Sequence, residues 1–179
     1  MKEISHKELQ ERAAKIKWIF CDIDGTLTDG CVYYSPEGEL LKKFSLRDGT
    51  GFFLLRHAGI KTGFITTENS PIVEQRANKL KVDKYIFGTH RKLEAMQEFV
   101  RQEELTLENI AFIGDELNDI KLLNACGFGI AVGDAALQAK DAACFVCEHA
   151  GGNGAFREAV ETLLTLKQIS IDEIINKSL

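Results

Sequence analysis

Two short runs of carboxylates, each placed directly after an apolar stretch, are the residues of this chain best equipped for chemistry. Trp18-Ile19-Phe20-Cys21 leads into Asp22-Ile23-Asp24-Gly25-Thr26, and Ala111-Phe112-Ile113 leads into Gly114-Asp115-Glu116-Leu117-Asn118-Asp119. Apolar runs of this length read as buried strands, so both clusters sit where strands end. Residues i and i+2 of an extended backbone point the same way, which predicts that Asp22 and Asp24 address one reacting atom. Asp-x-Asp-Gly alone is also an ordinary strand-ending turn. The second cluster removes that reading, because two acidic strand ends in one sheet make a site for a hard cation. Mg²⁺ takes oxygen ligands from one or two carboxylates and leaves room for a substrate phosphate. An EF-hand calcium loop is excluded, since Leu27 and Tyr33 stand where its Gly and bidentate Glu belong.

Two further parts lie between the clusters. Lys61-Thr62-Gly63-Phe64-Ile65 ends in Thr66-Thr67, hydroxyls able to hydrogen-bond a phosphoryl oxygen, and Lys92 opens the helix-like stretch after His90-Arg91. A cation there can neutralise either a carboxylate nucleophile or the phosphate. The elements that must position these groups alternate. Strands are expected near 17–21, 61–66, 84–87, 110–114, 127–132 and 143–147, and helices near 49–58, 70–80, 91–104, 117–125, 134–140 and 153–168. That alternation predicts an α/β fold with a doubly wound parallel sheet. The one interruption is a β-hairpin at about 30–44, built from Cys31-Val-Tyr-Tyr34, a Ser-Pro-Glu-Gly turn and Glu39-Leu-Leu-Lys-Lys-Phe44.

Composition sets the frame. A chain of 179 residues, 45% hydrophobic, fits one domain with a sizeable core. A net charge of −5 offers no basic footprint for nucleic acid or an anionic membrane. The longest apolar runs are strand-sized, and Met1 to Ile16 is too charged for a signal peptide, so no membrane partner is expected. Five cysteines with no secretory context point to a reducing cytoplasm. Cys144-Phe-Val-Cys147 has redox or zinc spacing but no second ligand pair, and reads as two core thiols. Cys21 is expected to face away from Asp22 by strand alternation. Domain limits follow: an N-terminal helical extension over 1–16, a catalytic domain over 17–168, and a C-terminal tail over 169–179.

The ordered set acid-x-acid, hydroxyl, Lys, Gly-Asp-x-x-x-Asp resembles the haloacid dehalogenase superfamily of phosphohydrolases over residues 17 to 160. Asp22-Ile-Asp24-Gly-Thr-Leu-Thr-Asp29-Gly30, Phe44-Ser-Leu-Arg47-Asp48-Gly49-Thr-Gly51, Ser70-Pro71-Ile72-Val73 and Gly151-Gly152-Asn-Gly154-Ala155-Phe-Arg157-Glu158 narrow the resemblance. They are similar to its capless branch, the phosphatases of 3-deoxy-2-keto sugar acids. Neither the gap after Asp24 nor residues 67–91 is long enough for a cap domain. The resemblance implies Asp22 as nucleophile, Asp24 as general acid and base, and Thr66 and Lys92 as phosphoryl-binding groups. It implies Mg²⁺ on Asp22, the Asp24 main-chain carbonyl and Asp115, with Asp119 behind them. An isolated hairpin is marginal in water, and the resemblance implies a homotetramer whose hairpins form a central barrel while a neighbouring subunit roofs each site.

For the substrate, Thr67-Glu68-Asn69-Ser70 stands where the octulosonate phosphatases usually have Gly-Arg-x-Ser. That Glu68 resembles the nononate branch, which implies the 9-phosphate of 2-keto-3-deoxynononate (KDN) as substrate. The 8-phosphate of 3-deoxy-D-manno-octulosonate (KDO) is the alternative. Glu68, Arg76, Lys79, Arg47 and Arg157 are the expected substrate-binding residues; Arg76 and Lys79 lie three apart on one helix face, and the resemblance implies that they reach a neighbour's site, the alternative being a solvated helix face. Two other classes compete: a receiver-type signalling domain, whose phosphoacceptor lies on a middle strand, and a catalytically idle tetramerisation module, which has no need of four carboxylates at two strand ends.

Overall fold

The strand that delivers Asp22 lies near the middle of the sheet. The computed structural model describes residues 4–178. Helix α1 (His6–Lys15), capped by the Ser5 side chain on Glu8 N, precedes β1 (Trp18–Cys21). A tight turn then leads to the hairpin β2 (Thr28–Ser35) and β3 (Gly38–Phe44), followed by α2 (Leu46–His57), β4 (Lys61–Ile65), α3 (Pro71–Leu80) and β5 (Lys84–Ile86). The second half runs α4 (Lys92–Gln102), β6 (Ile110–Gly114), α5 (Ile120–Ala125), β7 (Phe128–Ala131), α6 (Leu137–Ala142), β8 (Phe145–Val146), α7 (Ala155–Leu166) and α8 (Ile171–Ser178).

Six strands form one parallel sheet in the order β5-β4-β1-β6-β7-β8. Helices α2 and α7 pack together on one face, while α4, α5 and α6 cover the other. Both faces are buried, which is why β1, β6 and β7 are apolar at every position. Trp18 and Phe20 stack on each other and meet Phe99 edge-on on one side of β1, and Phe52, Phe64 and Phe156 form a second aromatic set. The chain leaves β1 for β4 and β5 on one side, then crosses to β6, β7 and β8 on the other. The topological switch point therefore falls at the C-terminal ends of β1, β4 and β6, where such sheets open a crevice.

The doubly wound sheet, the hairpin and the lack of room for a cap match the expectation. Several local boundaries differ. Helix α2 starts at Leu46, ahead of the expected 49, because the Ser45 hydroxyl accepts Asp48 N and caps it. The expected helix over 117–125 is a 3-10 turn, Leu117–Asp119, followed by α5. Within the C-terminal segment, α8 buries Ile174 and lies against α2. Of the 1–16 extension, 1–3 fall outside the described residues, and α1 seats Ala13 and Ile16 in the core. Lys167 of the α7 C-cap donates to the carbonyls of Ala13, Ala14 and Ile16, tying α1 to α7.

Candidate active site

Asp22 follows the last residue of β1, its N–H donating to the Ile113 carbonyl of β6 at 3.0 Å. The strand alternation invoked for Asp24 does not hold, because the backbone turns immediately. Ile23 O accepts the N–H groups of Thr26, Leu27 and Thr28, so Asp24 reaches the cleft from a turn. Gly25 makes this turn possible. Its φ is +84°, and a Cβ there would collide with the Asp115 carboxylate. Gly151 from the loop before α7 packs so closely on the Gly25 carbonyl that it admits no side chain either.

Asp22, Asp24, Thr66, Thr67 and Asp115 line a cleft of about 370 Å³ together with Gly25, Gly30, Glu116 and Asn118. Thus three strand ends, β1, β4 and β6, deliver a carboxylate, a hydroxyl and a carboxylate to one place. Lys92 lies behind it. Its side chain is 1% exposed, and its Nζ stands 2.9 Å from Asp22 Oδ1 and 2.6 Å from Asp119 Oδ1. As the first residue of α4 it places a cation at a positive helix end, a cost of about 0.3–1 kcal/mol that two close carboxylates outweigh. Burial alone would lower the Lys92 pKa, but Asp22 and Asp119 hold it above the ordinary lysine value.

The remaining oxygens show which groups are committed. Asp119 is fully buried, and its Oδ2 accepts Asp115 N at 2.9 Å and Glu116 N at 3.2 Å, so both its oxygens are engaged. Asp115 Oδ1 accepts the Thr26 hydroxyl at 2.9 Å. Thr66 is buried, and its Oγ1 accepts Glu68 N at 3.2 Å, which leaves its proton for an acceptor in the cleft. Burial, with Asp119 adding and Lys92 opposing, pushes the Asp22 carboxyl up to about 7. Burial and the Asp22 charge push Asp115 to about 7 as well. One ammonium among three carboxylates leaves the cluster short of positive charge. Asp22, Asp115 and Asp119 each offer an oxygen within 4.8 Å of the others, and an all-oxygen set of this kind suits a small hard dication.

The expected substrate-binding side chains are not gathered here. Glu68, Arg47 and Lys79 are exposed, and none of them lines this cleft. Arg76 donates to Ser45 O at 2.9 Å and lies over the Phe44 ring, while the Arg157 guanidinium is paired with Glu161. Asp48 accepts Gly154 N and Arg157 N, and so holds the start of α7 against the hairpin exit. Four of the cysteines behave as buried or half-buried core thiols, while Cys31 on β2 is exposed. Cys21 turns its sulfur to Gly63 O, Cys144 and Cys147 bond backbone carbonyls, and burial pushes Cys144 up to about 11.

Sequence reasoning missed Lys42. From β3 it buries its ammonium against Asp24 and, at 3.0 Å, Glu39 Oε1, while Glu39 also bonds the Ser70 hydroxyl. A lysine inside a hairpin reads as a solvated strand residue, and nothing local marks a partner eighteen residues away.

The family model for haloacid dehalogenase-like hydrolases matches residues 56–175. The chain belongs to that family. It is 36% identical to the 3-deoxy-D-manno-octulosonate 8-phosphate phosphatase of Haemophilus influenzae over 156 residues, 87% of each chain. Among solved structures it is similar to the phosphatase of the same name from Moraxella catarrhalis, crystallised with magnesium, phosphate and KDO. The TM-score is 0.91 at 34% identity, covering 97% of this chain and 99% of that one. A cobalt-bound form of the H. influenzae phosphatase superimposes with a TM-score of 0.84 at 35% identity, over 88% and 92% of the two chains. These relatives favour the octulosonate alternative over the nononate reading drawn from Glu68. Among the described residues no helix is long and apolar enough to cross a membrane.

Proposed function

We propose that this hydrolase is a Mg²⁺-dependent phosphatase that removes the 8-phosphate of 3-deoxy-D-manno-octulosonate 8-phosphate. The observation that carries the reading is the buried Asp22–Lys92–Asp119 ion triad, with Asp115 beside it at the head of the cleft. Asp22 attacks phosphorus in line as the bond from phosphorus to the sugar oxygen breaks, giving an aspartyl-phosphate. Asp24 gives a proton to the leaving alkoxide and then takes one from the water that releases inorganic phosphate and restores Asp22. Thr66 donates its hydroxyl to a phosphoryl oxygen. Lys92, sealed beneath the nucleophile, relieves repulsion between two anions rather than facing the open cleft. Magnesium, held by Asp22, Asp115 and the Asp24 main-chain carbonyl, would neutralise charge on the phosphoryl oxygens. Asp119, whose oxygens accept from Lys92 and from the Asp115 and Glu116 N–H groups, orients Lys92 and the Asp115 backbone behind the metal ligands.

The substrate carries a carboxylate of its own, and among the described residues no side chain lining the cleft is a cation. A second copy of the chain is the natural supplier. The hairpin forms its own two-stranded sheet and exposes Tyr33, Tyr34, Leu40 and Leu41, a surface suited to hairpins of other copies in a homotetramer. Arg47 and Lys79 are exposed cations that we assign to a neighbour's cleft. Glu68 is the observation that keeps KDN 9-phosphate as the second reading. A side-by-side kinetic comparison of KDO 8-phosphate and KDN 9-phosphate in Mg²⁺ decides between them. The octulosonate reading expects the higher kcat/KM for KDO 8-phosphate, and a preference for the nononate overturns it.

A further inference from the structure

The hairpin carries a buried cation that the reaction scheme above does not use. Lys42 is 1% exposed at its side chain and contacts Asp24 Oδ1 and Glu39 Oε1, while Glu39 accepts the hydroxyl of Ser70 at the entrance to α3. Desolvating an ammonium costs several kcal/mol unless it is paired, so this lysine is committed to its two carboxylates. The strand is built to allow the pairing. Residues three apart on a regular strand face opposite sides. In this hairpin, however, Tyr33 pairs with Leu41 and the next residue, Tyr34, pairs with Glu39, which leaves Leu40 as an extra residue. That bulge resets the alternation and turns Glu39 and Lys42 to the same side, toward Asp24. Bulges next to active sites commonly re-aim a side chain in this way.

We propose that Lys42, itself held by Glu39, is a positioning residue for Asp24, so that the hairpin fixes the carboxyl group that hands a proton to the leaving sugar oxygen. The inference rests on the phosphatase reading with Asp24 as acid and base. Asp24 lies in a turn, is 29% exposed at its side chain, and stands at the cleft edge. Lys42 donates to Oδ1 whether or not Oδ2 carries the proton, which fixes the rotamer and leaves Oδ2 for the leaving oxygen. In the step concerned, the bond from Asp22 to phosphorus forms and the bond from phosphorus to the leaving oxygen breaks. The proton on Asp24 passes to that oxygen. An alkyl leaving group needs this proton, whereas p-nitrophenolate leaves well without it.

The test measures pre-steady-state phosphorylation of the full-length enzyme in Mg²⁺ with KDO 8-phosphate and with p-nitrophenyl phosphate. Lys42→Met is expected to slow the sugar ester about 100-fold, the low end of what a positioned acid supplies, and the aryl ester less than about tenfold. Its KM should stay within about threefold. Lys42→Arg should recover part of the loss, and Glu39→Gln should show the same selective loss in smaller measure. Asp24→Asn is the reference. If it slows the sugar ester selectively and Lys42→Met does not, this inference fails alone; if Asp24→Asn itself shows no selectivity, the role given to Asp24 fails. Equal losses on both esters would overturn the inference by reducing Lys42 to a structural anchor. If Lys42→Met does not fold, as read from its melting temperature, Glu39→Gln decides by the same criterion.

Discussion

The sheet ends and the hairpin bring charge to one cleft in opposite ways. Asp22, Asp115, Asp119 and Lys92 are fixed by β1, β6 and α4, with backbone bonds between strands; Asp22, Asp119 and Lys92 are buried and Asp115 is half-buried at the cleft wall. Asp24, Lys42 and Glu39 belong to a turn and to a hairpin that touches the main sheet through no ladder. The first region needs its geometry before substrate arrives, since a nucleophile, a counter-cation and a metal ligand must be held with little freedom. The second mixes buried ion pairs with an exposed apolar face, so it can respond to whatever covers that face. In the proposed scheme the nucleophile and metal ligands sit on the first region, and proton delivery and closure on the second.

The largest effect expected from breaking the rigid region comes from Asp22→Asn. An amide of the same shape neither attacks phosphorus nor ligates Mg²⁺ well, so kcat should fall by roughly 10⁴-fold or more with the fold intact. Steady-state turnover and circular dichroism check this, and retention of more than a few per cent of activity would remove the covalent role.

Lys92→Met should act on stability as well. It strips two buried carboxylates of the ammonium that pairs them, a loss of about 3–5 kcal/mol, which for a chain of this size lowers the melting temperature by roughly 6–20 °C. Thermal unfolding reads the shift, and an unchanged midpoint would mean that the triad carries no structural charge pairing.

In the adjustable region, Leu41→Asp puts a charge on the exposed hairpin face. Sedimentation should show smaller species, and KM for the sugar phosphate should rise roughly tenfold, as for one lost substrate contact. A fully active wild-type monomer would refute the dependence on assembly.

The smallest effect concerns pH and metal. Asp22 and Asp115 are raised by burial from 3.8 to about 7 in the metal-free fold. The folded state therefore binds more protons than the unfolded one across that window, and stability falls as pH rises through it. Magnesium requires the charged carboxylates and offsets the loss. The rise in melting temperature on adding Mg²⁺ should be larger at pH 8 than at pH 5, and a rise independent of pH would place the metal elsewhere.

How much of this was legible in the sequence follows the same division. Asp22, Thr66 and Asp115 could be placed because each ends an apolar run, and a run buried on both faces carries its own signature. Lys92 was visible as a helix-start cation. Its inward turn was not, because that depends on two carboxylates from other elements. Asp24 was assigned to the cleft for the wrong reason, alternation along a strand that had already ended. Lys42 was missed because Glu39-Leu-Leu-Lys-Lys-Phe44 does not alternate cleanly, and the bulge at Leu40 leaves no mark in composition. Helix α8 escaped because its Ile171 and Ile174 gain a partner only when α2 is folded beneath them. Arg76 and Arg157 carried the expected charge, but Ser45 and Glu161 claim it within the same chain.

The central claim is that phosphate passes through Asp22. A single turnover of KDO 8-phosphate with excess wild-type enzyme in Mg²⁺, quenched in acid and mapped by mass spectrometry, tests it most directly. The expected result is a transient phosphoryl adduct on the peptide containing Asp22, absent from Asp22→Asn and absent when magnesium is chelated. Full turnover with no adduct, or an adduct on another residue, would contradict the account.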